Sequence, residues 1–174
     1  MSEAIRESAP DSERQGLIEA VTEDAARYLG LDPFQNTPKG IVGVVNDTVM
    51  KLVFGERVPF PAAEEPELLL GCLWGAQMLR ELQWTWVNIH RGESIDVAVA
   101  SPSRDMVIYP FTFVASCIAK RRICTVLLSF NMLLERRSAP VFPEGTYEDV
   151  MAHVRHIVPP YTLEEKSWPG SPPK

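Results

Sequence analysis

The chain has 174 residues, 45% hydrophobic and 23% charged, with a formal net charge of −6 and a pI near 5.1. Those values suit one globular domain that buries its own core and exclude a disordered chain. They also argue against a sequence-independent nucleic-acid binder, which needs a basic surface to displace counterions from phosphates; an acidic balance suits a basic partner or plain solubility.

Residues 1–10 carry Glu3 and Glu7 and no apolar core of the signal-peptide type, so they read as the disordered N-terminus of a cytoplasmic protein. Asp11 or Ser12 caps a first helix running to about residue 29, with Leu17, Val21, Ala25, Tyr28 and Leu29 on one face and Gly30 as its stop. Thr37-Pro38 starts a second, because Thr caps exposed amides and Pro at the first position has no amide to leave unpaired. That helix is expected over 38–54, ended by Gly55. Its wide apolar face (Ile41, Val44, Val45, Thr48, Val49, Leu52) predicts a central position. Pro59 and Pro61 stiffen a covering loop. Pro66 opens a third helix, with Glu64, Glu65 and Glu67 set against the positive end of its dipole.

Within the third helix Gly71 and Gly75 stand four apart, on one face, where they permit a close approach of another backbone. The period then shifts to two: Thr85, Val87 and Ile89 alternate with Trp84, Trp86 and Asn88, so a strand begins. Arg91-Gly92 turns a hairpin into Ile95, Val97 and Val99. A two-residue loop sets Trp86 opposite Val97 and a three-residue loop sets Val87 there, which leaves open the face the tryptophans occupy. A third strand over 106–109 completes an antiparallel meander. Helical spacing returns from Pro110 or Thr112, breaks at Lys120-Arg121-Arg122 and resumes over 123–137. Thr146 with Asp149 forms a capping-box-like start for a last helix to about residue 158, stopped by Pro159-Pro160. Residues 161–174, with Trp168, read as a mobile Pro-rich tail. The expected architecture is a single α+β domain over 11–160, with an antiparallel sheet of about three strands packed by about six helices.

Cys72, Cys117 and Cys124 lie in apolar runs without a CxxC and read as reduced core residues, Cys124 being the most exposed to doubt beside the basic triplet. The longest apolar stretches, 41–54 and 123–134, fall short of a membrane span. His153 and His156 share a helix face without a third ligand at zinc spacing. His90 beside Glu93 and Asp96 forms either an acid/base cluster or a solvated turn. Phosphate-binding glycine loops, GxSxG and HExxH are all missing, so no catalytic residue, metal or cofactor is implied.

The run Leu70-Gly71-Cys72-Leu73-Trp74-Gly75, then Trp86-Val87, the hairpin to Val97-Ala98-Val99-Ala100, and Ile108-Tyr109-Pro110-Phe111 resembles a family of small uncharacterised bacterial proteins. Their pattern is a glycine-bearing helix, a Trp at the first strand, a hairpin, and an apolar-Pro-apolar step into a helix. The likeness covers about residues 68–122, and its motifs are structural rather than catalytic. Without catalytic motifs or an export signal, and with its acidic balance, the chain is similar to immunity proteins of bacterial toxin systems, which cover a toxin's active site in the cytoplasm. That likeness implies a non-enzymatic protein whose partner is a toxin or effector domain rather than nucleic acid or membrane. The expected contact residues are Glu19, Glu23, Asp24, Glu64, Glu65 and Glu67 on the helices, with Trp84, Trp86, His90, Arg91, Glu93 and Asp96 on the hairpin. Two alternatives stand beside it: a small-molecule enzyme or sensor with a pocket between sheet and helices, and an adaptor in a secretion or regulatory assembly.

Overall fold

The computed structural model describes residues 5–135 and 141–157, apart from the side chain at 156. The expectations for the tail, for Trp168, for the His156 side chain and for the end of the last helix fall outside those residues, whereas the helix expected over 123–137 is described and spans Val126–Leu134. The Asp11 side chain accepts from the Arg14 amide at 2.8 Å and starts α1 (Ser12–Tyr28); Gly30, at φ 65°, ends it. The Thr37 hydroxyl accepts from the Gly40 amide ahead of α2 (Pro38–Val53), and Pro66 opens α3 (Pro66–Leu82). All three starts follow from local sequence, because a cap needs only its own next turn.

The centre belongs to α3, not α2. Every residue of α3 from 69 through 75 is buried, whereas α2 buries one face through Ile41, Val42, Val45, Thr48, Val49 and Val53. A helix buried on all sides must leave room for its neighbours, and the two glycines do so. A Cβ on Gly75 would lie 2.2 Å from Trp86 Cζ2, and one on Gly71 would lie 2.5 Å from Phe111 Cδ1. The Trp86 and Phe111 rings stack at 5.8 Å between centroids with 9° between planes. Small residues on α3 therefore admit two stacked aromatic rings, where the pattern alone suggested a backbone.

Strands β1 (Arg6–Ser8), β2 (Thr85–Arg91), β3 (Ser94–Ala100), β4 (Met106–Ile108) and β5 (Glu148–Asp149) form a five-stranded sheet in that order. The expected three-strand meander is its middle. β1 pairs antiparallel with β2 on one side, and β5 pairs parallel with β4 on the other, so the sheet is mixed. The β4 to β5 crossover carries α4 (Pro110–Ala119) and α5 (Val126–Leu134), and α6 (Val150–Ile157) follows β5 directly.

Two further expectations change. Residues 6–8 are an edge strand rather than disordered. Their pattern shows no apolar alternation because polar contacts fix them: His90 with the Ser8 hydroxyl at 2.8 Å, and the Asn88 amide donating to Ala9 O at 3.3 Å. The last helix begins at Val150, since Glu148–Asp149 is taken into the sheet. The Asp149 carboxylate accepts from the Met151 amide, while Thr146 donates to Asp105 O and Pro143 O.

The hairpin loop is Gly92-Glu93, closed by the Arg91–Ser94 pair, one position beyond the expected turn. Gly92, at φ 58°, supplies the positive φ that two-residue hairpin turns require. Trp86 is therefore opposite Val99 and Val97 opposite Asn88. One face, with Trp86, Val99 and Ile108, joins the helical core that also holds Trp84. Val87, Ile89, Ala98, Ala100 and Val107 form a second buried cluster on the other face, with Tyr109 and Tyr147 packed against it.

Candidate functional site

The hairpin residues do not assemble the acid/base cluster. Ile89 pairs with Asp96 and His90 with Ile95, so strand alternation puts His90 and Asp96 on opposite faces. His90 bonds Ser8, Glu93 stands exposed in the loop, and Asp96 lies 3.9 Å from Arg91 Nε. The Arg91 guanidinium donates to the Tyr109 hydroxyl at 2.6 Å and sits 5.1 Å from that ring's centroid. Burial pushes the Tyr109 phenol up, against the pull of that guanidinium.

Neither tryptophan is an exposed anchor: Trp84 is buried in the core, and Trp86 is half-buried between Phe111 and α3. The cysteines are buried as well. Burial alone pushes the Cys72 thiol up to about 12. Burial raises Cys124 well above the ordinary thiol value, with further upward pressure from its hydrogen bond to Cys117, and the same bond lowers Cys117. The raised thiols of Cys72 and Cys124 make poor nucleophiles, and Cys117, though lowered, is buried from solvent. Among the described residues no group of three or more His, Cys, Asp or Glu side chains is placed to hold a metal ion, and no helix is long and apolar enough to cross a membrane.

The acidic residues are spread along α1 and ahead of α3, and one contact ties the two segments together. Tyr28 near the end of α1 donates to Glu64 at 3.5 Å and meets Phe60 edge-on at 6.2 Å, which brings the close of α1 against the approach to α3. Glu19 and Glu23 are exposed on α1; Glu64 and Glu65 are exposed ahead of α3, and Glu67 is half-buried in its first turn. Asp24 pairs with Arg27 one turn on, and that hydrogen bond and charge raise the guanidinium pKa.

Phe34 escaped the sequence reading. Its side chain is 99% exposed, yet the loop beneath it is fixed: Asp32 Oδ1 accepts from the Phe34 amide and Asn36 Oδ1 from the Asp32 amide, each at 2.8 Å. The Asn36 amide returns to Asp32 O at 2.8 Å, and Arg80 donates to Asn36 O at 3.4 Å. The signal was present, in an apolar residue that fits the period of neither flanking helix. The hydrogen bonds that hold it out follow from the Asp-x-x-x-Asn spacing.

A cleft of about 560 Å³ opens between the hairpin, α4 and α6. It contains Arg91 and Asp96 from the expected residues and adds Lys120, Asp149 and Arg155, which spacing did not connect. Asp149 is held above the usual carboxylate range by burial, although the Met151 and Ala152 amides and the nearby Arg155 pull the other way. Comparison with known protein families, curated proteins and solved structures finds no match to this chain.

Proposed function

We propose that the chain is a non-enzymatic binding protein, most concretely a cytoplasmic immunity protein that neutralises a bacterial toxin or effector. The observation that carries the binding role is Phe34, a fully exposed ring on a loop immobilised by hydrogen bonds. With the loop backbone already fixed, docking orders only the two side-chain torsions of the ring, and buried aromatics of this kind dominate interface energetics. The exposed carboxylates of α1 and of the approach to α3 suit a partner with a basic surface and would speed encounter with it. Burial of all three cysteines and dispersal of His90, Glu93 and Asp96 favour binding over catalysis by those residues.

The test is a parallel affinity purification of tagged wild type and Phe34→Ala from native cells, followed by salt-dependent association kinetics on whatever partner is found. The expected partner carries a toxic catalytic domain, is lost with Phe34→Ala, and associates more slowly as salt rises or when Glu19, Glu23 and Glu64 are reversed to Lys. A partner retained equally by both forms would remove Phe34 from the interface. Association unaffected by salt and by the charge reversals would remove the acidic surface.

A further inference from the structure

We propose that the cleft between the hairpin, α4 and α6 binds a small organic anion whose phosphate or carboxylate group sits between Lys120 and Arg155. This proposal is independent of the protein partner, because it uses different residues. At about 560 Å³ the cleft lies within the range of small-molecule sites, roughly 300–1,000 Å³.

The charge inventory selects the ligand. Three cations and two carboxylates line the cleft. Arg91 is engaged by the Tyr109 hydroxyl and ring, and it in turn engages Asp96. Asp149 is satisfied by the first amides of α6, where its carboxylate caps the helix. Lys120 and Arg155 remain. Among the described residues neither has a carboxylate within ion-pair distance, and the Arg155 guanidinium rests over the Phe113 ring at 5.9 Å.

Helical spacing completes the arrangement. Thr112 and Ser116 stand four apart on α4 and its C-cap residue Lys120 follows four on, so two hydroxyls and an ammonium line the cleft in succession. Neither hydroxyl is committed to a hydrogen-bond partner among the described residues. Two uncommitted cations beside two uncommitted hydroxyl donors match the oxygens of a phosphate or carboxylate, and the Tyr109 ring offers the ligand's body an apolar wall. In an acidic chain this local positive surplus is not a general surface property.

The test is a titration of the ¹⁵N-labelled full chain, at low salt, with phenyl phosphate, benzoate and benzyl alcohol as separate probes. Saturable shifts are expected at amides of α4 and α6 with an anionic probe and not with the neutral alcohol; which anion binds more tightly identifies phosphate or carboxylate as the head group. Lys120→Met and Arg155→Met should each weaken binding about tenfold, the loss of about 1.4 kcal/mol. Asp149→Asn should tighten it several-fold, since it removes a like charge while Asn still caps α6. A variant that merely damaged the fold would not improve binding. The proposal is overturned if neither anion gives saturable shifts at millimolar concentration, if the alcohol binds equally, or if Asp149→Asn weakens binding.

Discussion

The two faces of the sheet are buried by different means. On the helical side, Trp86, Val99 and Ile108 meet large hydrophobic elements, and fit is set by shape: a ring pair fills the space left by two glycines. On the other side, Ala98 and Ala100 are small, and two tyrosines pack over them among the described residues. One of them, Tyr147, donates to Glu7 Oε2 at 2.7 Å, and Arg104 clamps the same carboxylate with bonds of 2.8 and 3.0 Å. The first face depends on volume and the second on a polar tie over an apolar floor. Burial alone does not say which kind of substitution a face will tolerate.

The strongest way to break that contrast is Gly75→Ala. Overpacking costs roughly 1–3 kcal/mol or more, and the better helix propensity of Ala returns about 1 kcal/mol, so a net loss of about 2 kcal/mol is expected in urea unfolding. Trp86→Phe removes the ring atoms that collide, so Gly75→Ala should cost at least about 1 kcal/mol less in that background. Additivity of the two changes would show that the ring pair does not set the fit.

On the opposite face Tyr147→Phe keeps the ring and removes one hydrogen bond to a charged group, for an expected loss of about 1–2 kcal/mol. Glu7→Gln should do similar damage and raise amide exchange in β1, because the Glu7–Arg104 pair is only partly shielded, with side chains 23% and 29% exposed. Unchanged exchange in β1 would detach the tie from the strand.

Gly43→Ala sharpens the comparison from the other direction. An added Cβ there meets nothing within 4 Å, so helix propensity acts alone and stability should rise by about 0.5–1 kcal/mol. The smallest effect concerns Asp105. Burial pushes its carboxyl up, but bonds from the Ser101 and Ser103 hydroxyls, each 2.6 Å, outweigh that and leave it below the usual range. Its stabilisation is therefore present above the unfolded value of about 3.9 and is lost as pH falls through the lower folded one. Asp105→Asn should flatten that part of the acid-unfolding curve. Asp149, with its raised folded pKa, has the opposite sign: stability gains as pH falls through that value.

Much of the fold was legible because it is local. Caps at Asp11 and Thr37, stops at Gly30 and Gly55, the Pro66 start and the change of period at Thr85 each depend on a few neighbouring residues. What stayed hidden depends on distant partners. β1 exists only because β2 accepts it, and β5 because β4 does, and neither short segment carries a pattern of its own. The hairpin register slipped because Arg91-Gly92 and Gly92-Glu93 both offer a glycine turn, and only the turn geometry separates them. The cleft joins side chains from β2, α4 and α6, so its cations were visible as residues but not as neighbours.

The N-terminal strand has a consequence for handling the protein. β1 covers three residues of the β2 edge, from Asn88 to His90, and its neighbour Ala9 takes a bond from the buried Asn88. Trimming the chain to begin at the first helix would strip that cover and leave unpaired amides and carbonyls next to Val87 and Ile89. A bare apolar strand edge is a template for another chain. A shortened form should therefore self-associate in concentrated solution while its helices remain folded, and light scattering would register the change before circular dichroism did.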